Sequence, residues 1–227
     1  MKALVLFSGG IDSTTALALA INKYGKDRVI ALSVSYGQKH DKEIQAAIAV
    51  AEYYGVEHLF LDLRKIFTYS NCSLLKQSTE KIPEESYAKQ ISKTNGETPV
   101  STYVPFRNGL FLSSAASIAL SKDCEVIYYG AHADDSAGFA YPDCSPVFNQ
   151  AMNEAIWEGS GHQLKIEAPF VNVSKAEVVR IGLELGVPYE LTWSCYEGGE
   201  KPCGKCGTCI DRAAAFQANH VEDPALR

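Results

Sequence analysis

An α/β fold built on a Rossmann-like, doubly wound parallel sheet is what this sequence predicts, and three observations lead there. Short apolar, β-rich runs alternate with segments of helical apolar spacing from the first residues onward. Strand, helix, strand, helix, strand over residues 3–63 suits parallel strands joined by right-handed crossovers. The first apolar run breaks at a Ser-Gly-Gly turn and resumes at once as a helix, at the strand end where such sheets gather their ligands.

The elements follow in order. Ala3 to Phe7 reads as a buried strand and Thr14 to Tyr24 as a helix with Ala and Leu at helical spacing. Val29 to Val34 is a second strand. The helix Asp41 to Tyr54 carries Ile44, Ala47, Ile48, Ala51 and Tyr54 on its apolar face and ends at Gly55. His58 to Leu63 is a third strand. Residues 64–100 are polar and irregular, which suits a lid, a partner surface or a disordered excursion. A helix from Gly109 to Leu120, a strand from Glu125 to Gly130, a helix from Val147 to Glu158 and a strand from Gln163 to Ala168 complete the alternation. Ser174-Lys175-Ala176-Glu177 opens a last helix as a capping box.

The 227 residues fit one domain, 1–227, with 190–227 as a cysteine-rich C-terminal subregion. No apolar run approaches the roughly 18 residues of a membrane span, and the chain enters a strand without a signal-peptide pattern. A cytoplasmic protein with no membrane partner is expected. A net charge of −6 speaks against a broad nucleic-acid surface. Seven cysteines in this setting suit thiols or metal ligands better than disulfides.

The turn after the first strand is the leading candidate site. Adjacent glycines let the backbone approach a ligand, and the free N–H groups of a helix start favour an anion, above all a phosphate. Neither common nucleotide fingerprint is present, but Ser8-Gly9-Gly10-Ile11-Asp12-Ser13 resembles the pyrophosphate loop of the N-type ATP pyrophosphatases. A plain glycine turn with a Ser or Asp helix cap is the competing reading. Ser33 and Tyr36-Gly37-Gln38, at the end of the second strand, fall beside the loop. Arg107 and Lys175 both sit at helix starts, where a cation is unfavourable unless it answers an anion. His132-Ala133-Asp134-Asp135 follows a strand end; the acids there suit Mg²⁺ on ATP, a cationic group, or a turn cap.

Cys195, Cys203, Cys206 and Cys209 fall within fifteen residues, with Gly after Cys203 and Cys206. The set matches a closed tetrahedral Cys₄ zinc site, one structural Zn²⁺ per chain, with an iron–sulfur cluster as the competitor. Cys72, Cys124 and Cys144 show no ligand spacing.

Taken together, these segments resemble the 7-cyano-7-deazaguanine synthases of queuosine precursor synthesis. The likeness runs through Phe7-Ser8-Gly9-Gly10-Ile11-Asp12-Ser13-Thr14-Thr15-Ala16-Leu17, Tyr36-Gly37-Gln38, and Thr102-Tyr103-Val104-Pro105 with Arg107-Asn108. It continues through Tyr141-Pro142-Asp143-Cys144, Lys175-Ala176-Glu177, Thr192 to Tyr196, and Pro202 to Arg212. The resemblance implies an adenine nucleotide alpha hydrolase-like fold, a homodimer, and ATP-driven conversion of 7-carboxy-7-deazaguanine and ammonia to the nitrile. It implies ATP on Phe7 to Leu17 and Ser33, and catalytic roles for Asp12, Lys175 and Arg107. The deazaguanine would meet Tyr36, Gln38, Arg107, Asn108, Asp135, Tyr141 and Asp143. Two positions depart from the family pattern: Phe106 stands where Gly is usual, and Ser145 where Arg is usual.

Two other readings remain open at this level. One is another pyrophosphate-loop enzyme, a tRNA thiolase or an amide-forming synthetase, though neither an RNA-binding surface nor room for a glutaminase domain is evident. The other is a non-catalytic zinc module that senses nucleotide.

Overall fold

Ala3-Leu4-Val5-Leu6 is apolar at every position and buried at every position, which requires a strand covered on both faces. In the computed structural model, which describes residues 1–93 and 98–226, this segment is the central strand. The sheet contains β1 (Ala3–Leu6), β2 (Val29–Ser35), β3 (Glu57–Asp62), β4 (Val126–Tyr128) and β5 (Lys165–Glu167). Their spatial order is β3-β2-β1-β4-β5 and every pairing is parallel, with Leu4 opposite Ile30 on one side and Ile127 on the other. The helices are α1 (Ile11–Tyr24), α2 (Lys42–Tyr54), α3 (Tyr87–Lys93), α4 (Arg107–Ser121), α5 (Ala133–Ser136), α6 (Pro146–Gly159), α7 (Lys175–Glu184) and α8 (Gly207–Ala218).

The alternation of the strands sorts the core into two layers. Ala3, Val5, Val29 and Ala31 point toward α1, α2, α7 and α8, whose Leu17, Val50, Val178 and Phe216 complete one cluster. Leu4, Leu6, Ile30 and Ile127 point the other way, onto Leu112 and Ala115 of α4 and Ile156 of α6. Helices on both faces of a parallel sheet make the doubly wound arrangement that the sequence predicts. Among the described residues no helix is long and apolar enough to cross a membrane.

Helix α2 departs from its expected face. Its buried residues are Ala46, Ala47, Val50 and Ala51, while Ile48 is 39% exposed. The cause is a close approach: a Cβ placed on Gly9 would lie 2.5 Å from the Ala47 nitrogen and 2.7 Å from the Glu43 carbonyl oxygen. Only small residues on α2 let the turn after β1 come so near. Gly55 ends the helix in the left-handed conformation, as expected.

The irregular stretch after β3 is a packed arm, not an excursion, through its described residues; positions 94–97 lie outside them. Phe67, Leu74, Leu75 and Ile82 are buried in a third cluster with Tyr36, Val104 and the thiols of Cys195, Cys206 and Cys209. Two tyrosine contacts fasten it: Tyr87 Oη lies 2.6 Å from Tyr196 Oη, and the Tyr87 ring meets the Tyr141 ring edge-on at 5.6 Å. Tyr141 Oη in turn lies 2.5 Å from Thr102 Oγ1.

The capping box expected at α7 is only half made. Ser174 Oγ accepts the Glu177 N–H at 3.3 Å, but the Glu177 carboxylate turns to Arg180 at 2.6 Å. A reciprocal box closes α5 instead, between His132 and Asp135. The C-terminus is anchored by Arg212, whose Nη2 donates to Asp223 at 2.8 Å and whose Nη1 donates to Thr192 at 2.9 Å; both charged side chains are buried.

Candidate active site

The strand order reverses between β1 and β4, and the ligand crevice of such a sheet lies outside the carboxyl ends of those two strands. The turn after β1 is closed by its own serines. The Ser8 N–H donates to Ser13 Oγ at 3.1 Å, and the two hydroxyls lie 3.1 Å apart. The Gly10 N–H donates to Ser8 Oγ at 3.3 Å. Gly10 caps α1 without a side-chain bond, which leaves the first N–H groups of the helix available to an anion.

Gly9 adopts φ 80°, and any side chain there would collide with α2 backbone. Gly9→Ala is expected to cost at least about 3 kcal/mol, from positive-φ strain and the clash together. A denaturant midpoint equal to that of the parent would contradict this packing.

A cavity of about 250 Å³ opens in front of the turn. Phe7, Ser8, Gly10, Ile11, Asp12 and Ser13 line its floor, and Ser33 lies beside them. Ser33 Oγ donates to the Phe7 carbonyl at 2.7 Å and lies 2.8 Å from His58 Nε2, so it fixes the β1–β2 corner. Thr14, Thr15, Ala16 and Leu17 do not line the cavity; they are buried in α1, where Thr15 Oγ1 meets Tyr189 Oη at 2.8 Å. Tyr36, Gln38, Arg107, Asn108, Asp135 and Lys175 complete the walls among the expected residues.

Lys175, at the start of α7, reaches back to Asp12 Oδ2 at 2.8 Å and lies 3.4 Å from His132 Nε2. Burial pushes the Asp12 carboxyl up, but the Lys175 ammonium and then His132 outweigh it, so the carboxyl sits below its ordinary range. Burial likewise lowers Lys175, and Asp12 followed by Asp135 more than reverses that. The two acids after His132 divide their work. Asp134 Oδ2 accepts the Lys175 backbone N–H at 2.8 Å, while Asp135 accepts the His132 N–H at 3.3 Å and approaches its Nε2 at 3.4 Å. Asp12 Oδ1 is buried without a hydrogen-bond partner. Sequence reading passed over His132 as one member of a strand-end run, since nothing about a lone histidine there signals contact with a lysine and two acids.

Arg107 begins α4 and stacks its guanidinium over the Tyr36 ring at 5.1 Å and near Phe111 at 6.0 Å. The preceding Phe106 holds φ 54°, a conformation glycine adopts freely, which accounts physically for the glycine usual at this position. Its ring lies over Gly109 and meets Phe148 edge-on at 5.9 Å. Ser145, the other departure, caps α6 by accepting the Phe148 N–H at 3.1 Å.

Asp143 and Tyr141 stand behind the wall and do not line the cavity. Asp143 is 3% exposed; its Oδ2 accepts the Asn108 N–H at 2.8 Å, and its carbonyl accepts from Tyr129 Oη at 2.7 Å. The carboxylate thus caps the start of α4. Glu43, in the first turn of α2, lines the same cavity as Arg107. Burial raises its carboxyl to about 7 against the pull of Arg107. An acid in a first helical turn is too ordinary to mark a site by itself.

The four expected cysteines converge: their sulfurs lie within 4.8 Å of one another, with Cys203 Sγ 3.9 Å from Cys209 Sγ. Four sulfurs about 2.3 Å from one central ion would stand about 3.8 Å apart, so the set fits a single tetrahedral metal ion. Backbone N–H groups of Glu197 and Cys203 donate to Cys195 Sγ at 3.4 and 3.3 Å, as befits a ligand thiolate. The same loop lends Trp193, Ser194 and Tyr196 to the cavity wall. Of the other thiols, Cys144 alone reaches the cavity.

Residues 2–220 match the family described as Queuosine biosynthesis protein QueC. A 7-cyano-7-deazaguanine synthase of Archaeoglobus fulgidus is 43% identical over 227 residues, spanning 100% of this chain and 90% of the relative. That of Thermoplasma acidophilum is 43% identical over 232 residues, spanning 98% of this chain and 90% of the relative. Among solved structures, NMN synthetase from Francisella tularensis aligns with 97% of this chain and 78% of its own, with a TM-score of 0.53 at 17% identity, a likeness of fold. With its parallel sheet, its cleft at the strand reversal and a sequence match along nearly its whole length, the chain belongs to the QueC family of 7-cyano-7-deazaguanine synthases, enzymes of queuosine biosynthesis.

Proposed function

We propose that the cavity converts 7-carboxy-7-deazaguanine and ammonia into 7-cyano-7-deazaguanine, driven by ATP through an adenylated carboxylate and an amide. The observation that carries this reading is the convergence on one cavity of an anion-binding helix start, the Lys175–Asp12 pair and Arg107. A carboxylate is a poor electrophile. Attack of its oxygen on the α-phosphorus of ATP releases pyrophosphate and turns that oxygen into part of a leaving group. Ammonia then displaces AMP and loses a proton, giving the amide. Activation of the amide oxygen by a second ATP allows both N–H protons and AMP to depart, leaving the nitrile.

The residues divide this work by charge. The N–H groups at the start of α1 hold the departing pyrophosphate, and Lys175 stabilises the negative charge that develops there. Asp12 keeps the ammonium of Lys175 aimed at that spot. Bound Mg²⁺ would add charge neutralisation on the nucleotide, with Asp12 Oδ1 and Asp135 as the acids available to it. Arg107 faces the deazaguanine, with Tyr36, Gln38 and Asn108 beside it. The cysteine set supports a structural zinc ion; a four-iron cluster would spread the sulfurs over a cube larger than this spacing. We read the working unit as one domain in a cytoplasmic homodimer, on the family likeness.

The test is mass spectrometry of 7-carboxy-7-deazaguanine incubated with protein, Mg-ATP and ammonium, with nucleotides assayed alongside. The nitrile is expected together with AMP and pyrophosphate. Unchanged acid from folded, metal-loaded protein would overturn the assignment.

A further inference from the structure

Three carboxylates line the cavity, and two of them are already engaged. Asp12 holds Lys175 at 2.8 Å, and Asp135 closes the box on His132. Glu43 accepts no hydrogen bond and forms no ion pair among the described residues, although it stands in the cavity wall. Arg107 is its counterpart: it stacks on Tyr36 and, unlike Lys175, forms no ion pair among the described residues. Glu43 is half-buried, and a carboxylate left without a donor in a cavity wall is complementary to a ligand that donates. The two charges do not neutralise each other, and the aromatic face of Tyr36 underlies the guanidinium.

The ligand that satisfies both is planar, carries paired N–H donors on one edge and acceptor oxygens elsewhere. Two nearby acceptors are already engaged. Gln38 Oε1 already accepts the Tyr36 N–H at 3.0 Å, and Asp143 is spent on Asn108 behind the wall. Tyr36, Phe111, Trp193 and Tyr196 supply aromatic surface for the flat ring.

We infer that Glu43 is the specificity-determining residue for the guanine-like ring, its carboxylate accepting the ring N1–H and the 2-amino group as a bidentate pair. The assignment rests on the reaction proposed above for this cavity. The same first turn of α2 packs its backbone closely on Gly9, which fixes the place of Glu43 relative to the turn after β1.

The experiment compares 7-carboxy-7-deazaguanine with its 2-desamino analogue in the parent and in Glu43→Gln. Glu43→Gln is expected to lower kcat/KM for the guanine-type acid roughly 10- to 100-fold, mainly through KM, because one charged acceptor is replaced by an amide. The KM for ATP should stay within about threefold, and the desamino analogue should lose far less than the parent substrate. Equal losses for both acids would overturn the inference, since a merely structural role would not distinguish them. Binding separates this from the reaction itself. By calorimetry the parent should hold 7-deazaguanine at least about tenfold more tightly than 7-deazahypoxanthine, and Glu43→Gln should erase the difference. A parent that binds the two equally removes the role from Glu43 even if nitrile forms. Selective binding without nitrile would leave the role standing while the reaction assignment falls.

Discussion

Lys175→Met lowers kcat/KM for nitrile formation by about 10³-fold or more, with most of the loss in kcat, because the charge it removes answers an anion that develops in the transition state. The geometry also dictates a cost to stability. Asp12 already has one buried oxygen without a partner, and the variant strips the other of its 2.8 Å ion pair. Leaving a mostly buried carboxylate unmatched costs about 1–3 kcal/mol. A second substitution separates the two effects. Asp12→Asn combined with Lys175→Met removes the stranded charge, so the double variant regains stability without regaining turnover. Chemical denaturation and pyrophosphate release, run on the parent, each single variant and the double variant, read the two quantities independently. A double variant that recovered turnover would show that Lys175 only neutralises Asp12.

The sign of the pH dependence follows from the same pair. The Asp12 carboxyl lies below its ordinary value in the folded protein, so its contribution is present at neutral pH and is lost as pH falls through the folded value. The parent and Lys175→Met therefore converge in stability on acidification.

Metal removal has the second large effect. Cys195, Cys206 and Cys209 are buried in the cluster that also holds Tyr36, Phe67 and Leu75, so the ion site and the arm after β3 share one core. Structural zinc binding in small domains is worth about 10–16 kcal/mol at neutral pH; loss of even 5 kcal/mol here, at roughly 2–4 °C per kcal/mol, lowers the melting temperature by about 10–20 °C. Chelation under mild denaturant, or Ser at any of the four positions, should produce that shift with loss of one zinc per chain. Trp193 and Tyr196 should lose their order at the cavity wall, seen as a change in tryptophan fluorescence. Retained melting temperature after complete metal removal would show that packing alone holds the loop.

The main features of this fold were readable because strands, helices and turn follow strict local rules. β1 is apolar throughout since both of its faces are covered, and the Ser-Gly-Gly break follows it directly. What failed to show has equally specific causes. The buried face of α2 was misjudged because periodicity favours the larger Ile44 and Ile48, whereas the backbone of Gly9 admits only alanine beside it. The segment from Phe67 to Ile82 carries no period because its apolar residues pack singly against cysteines more than a hundred positions away. In the site, Lys175 and Arg107 stood out as cations at helix starts, and both line the cavity. The family resemblance implies a substrate role for Asp143 as well, yet its carboxylate is consumed in capping α4. Glu43 and His132 were silent, since an acid in a first helical turn and a histidine after a strand are commonplace. Their roles come from which neighbours the sheet brings within reach.

The tyrosine contacts around the arm bear on the order in which the chain assembles. Tyr87 meets Tyr196 across 109 residues, and Thr102 meets Tyr141 across 39. Closing such spans carries an entropic cost that falls as the intervening chain becomes compact, so these contacts depend on a chain already collapsed around its sheet. Capture of a metal ion by the four thiols is therefore expected to tie the arm to the cavity wall, and chains deprived of the ion are expected to keep the sheet while the active site loosens.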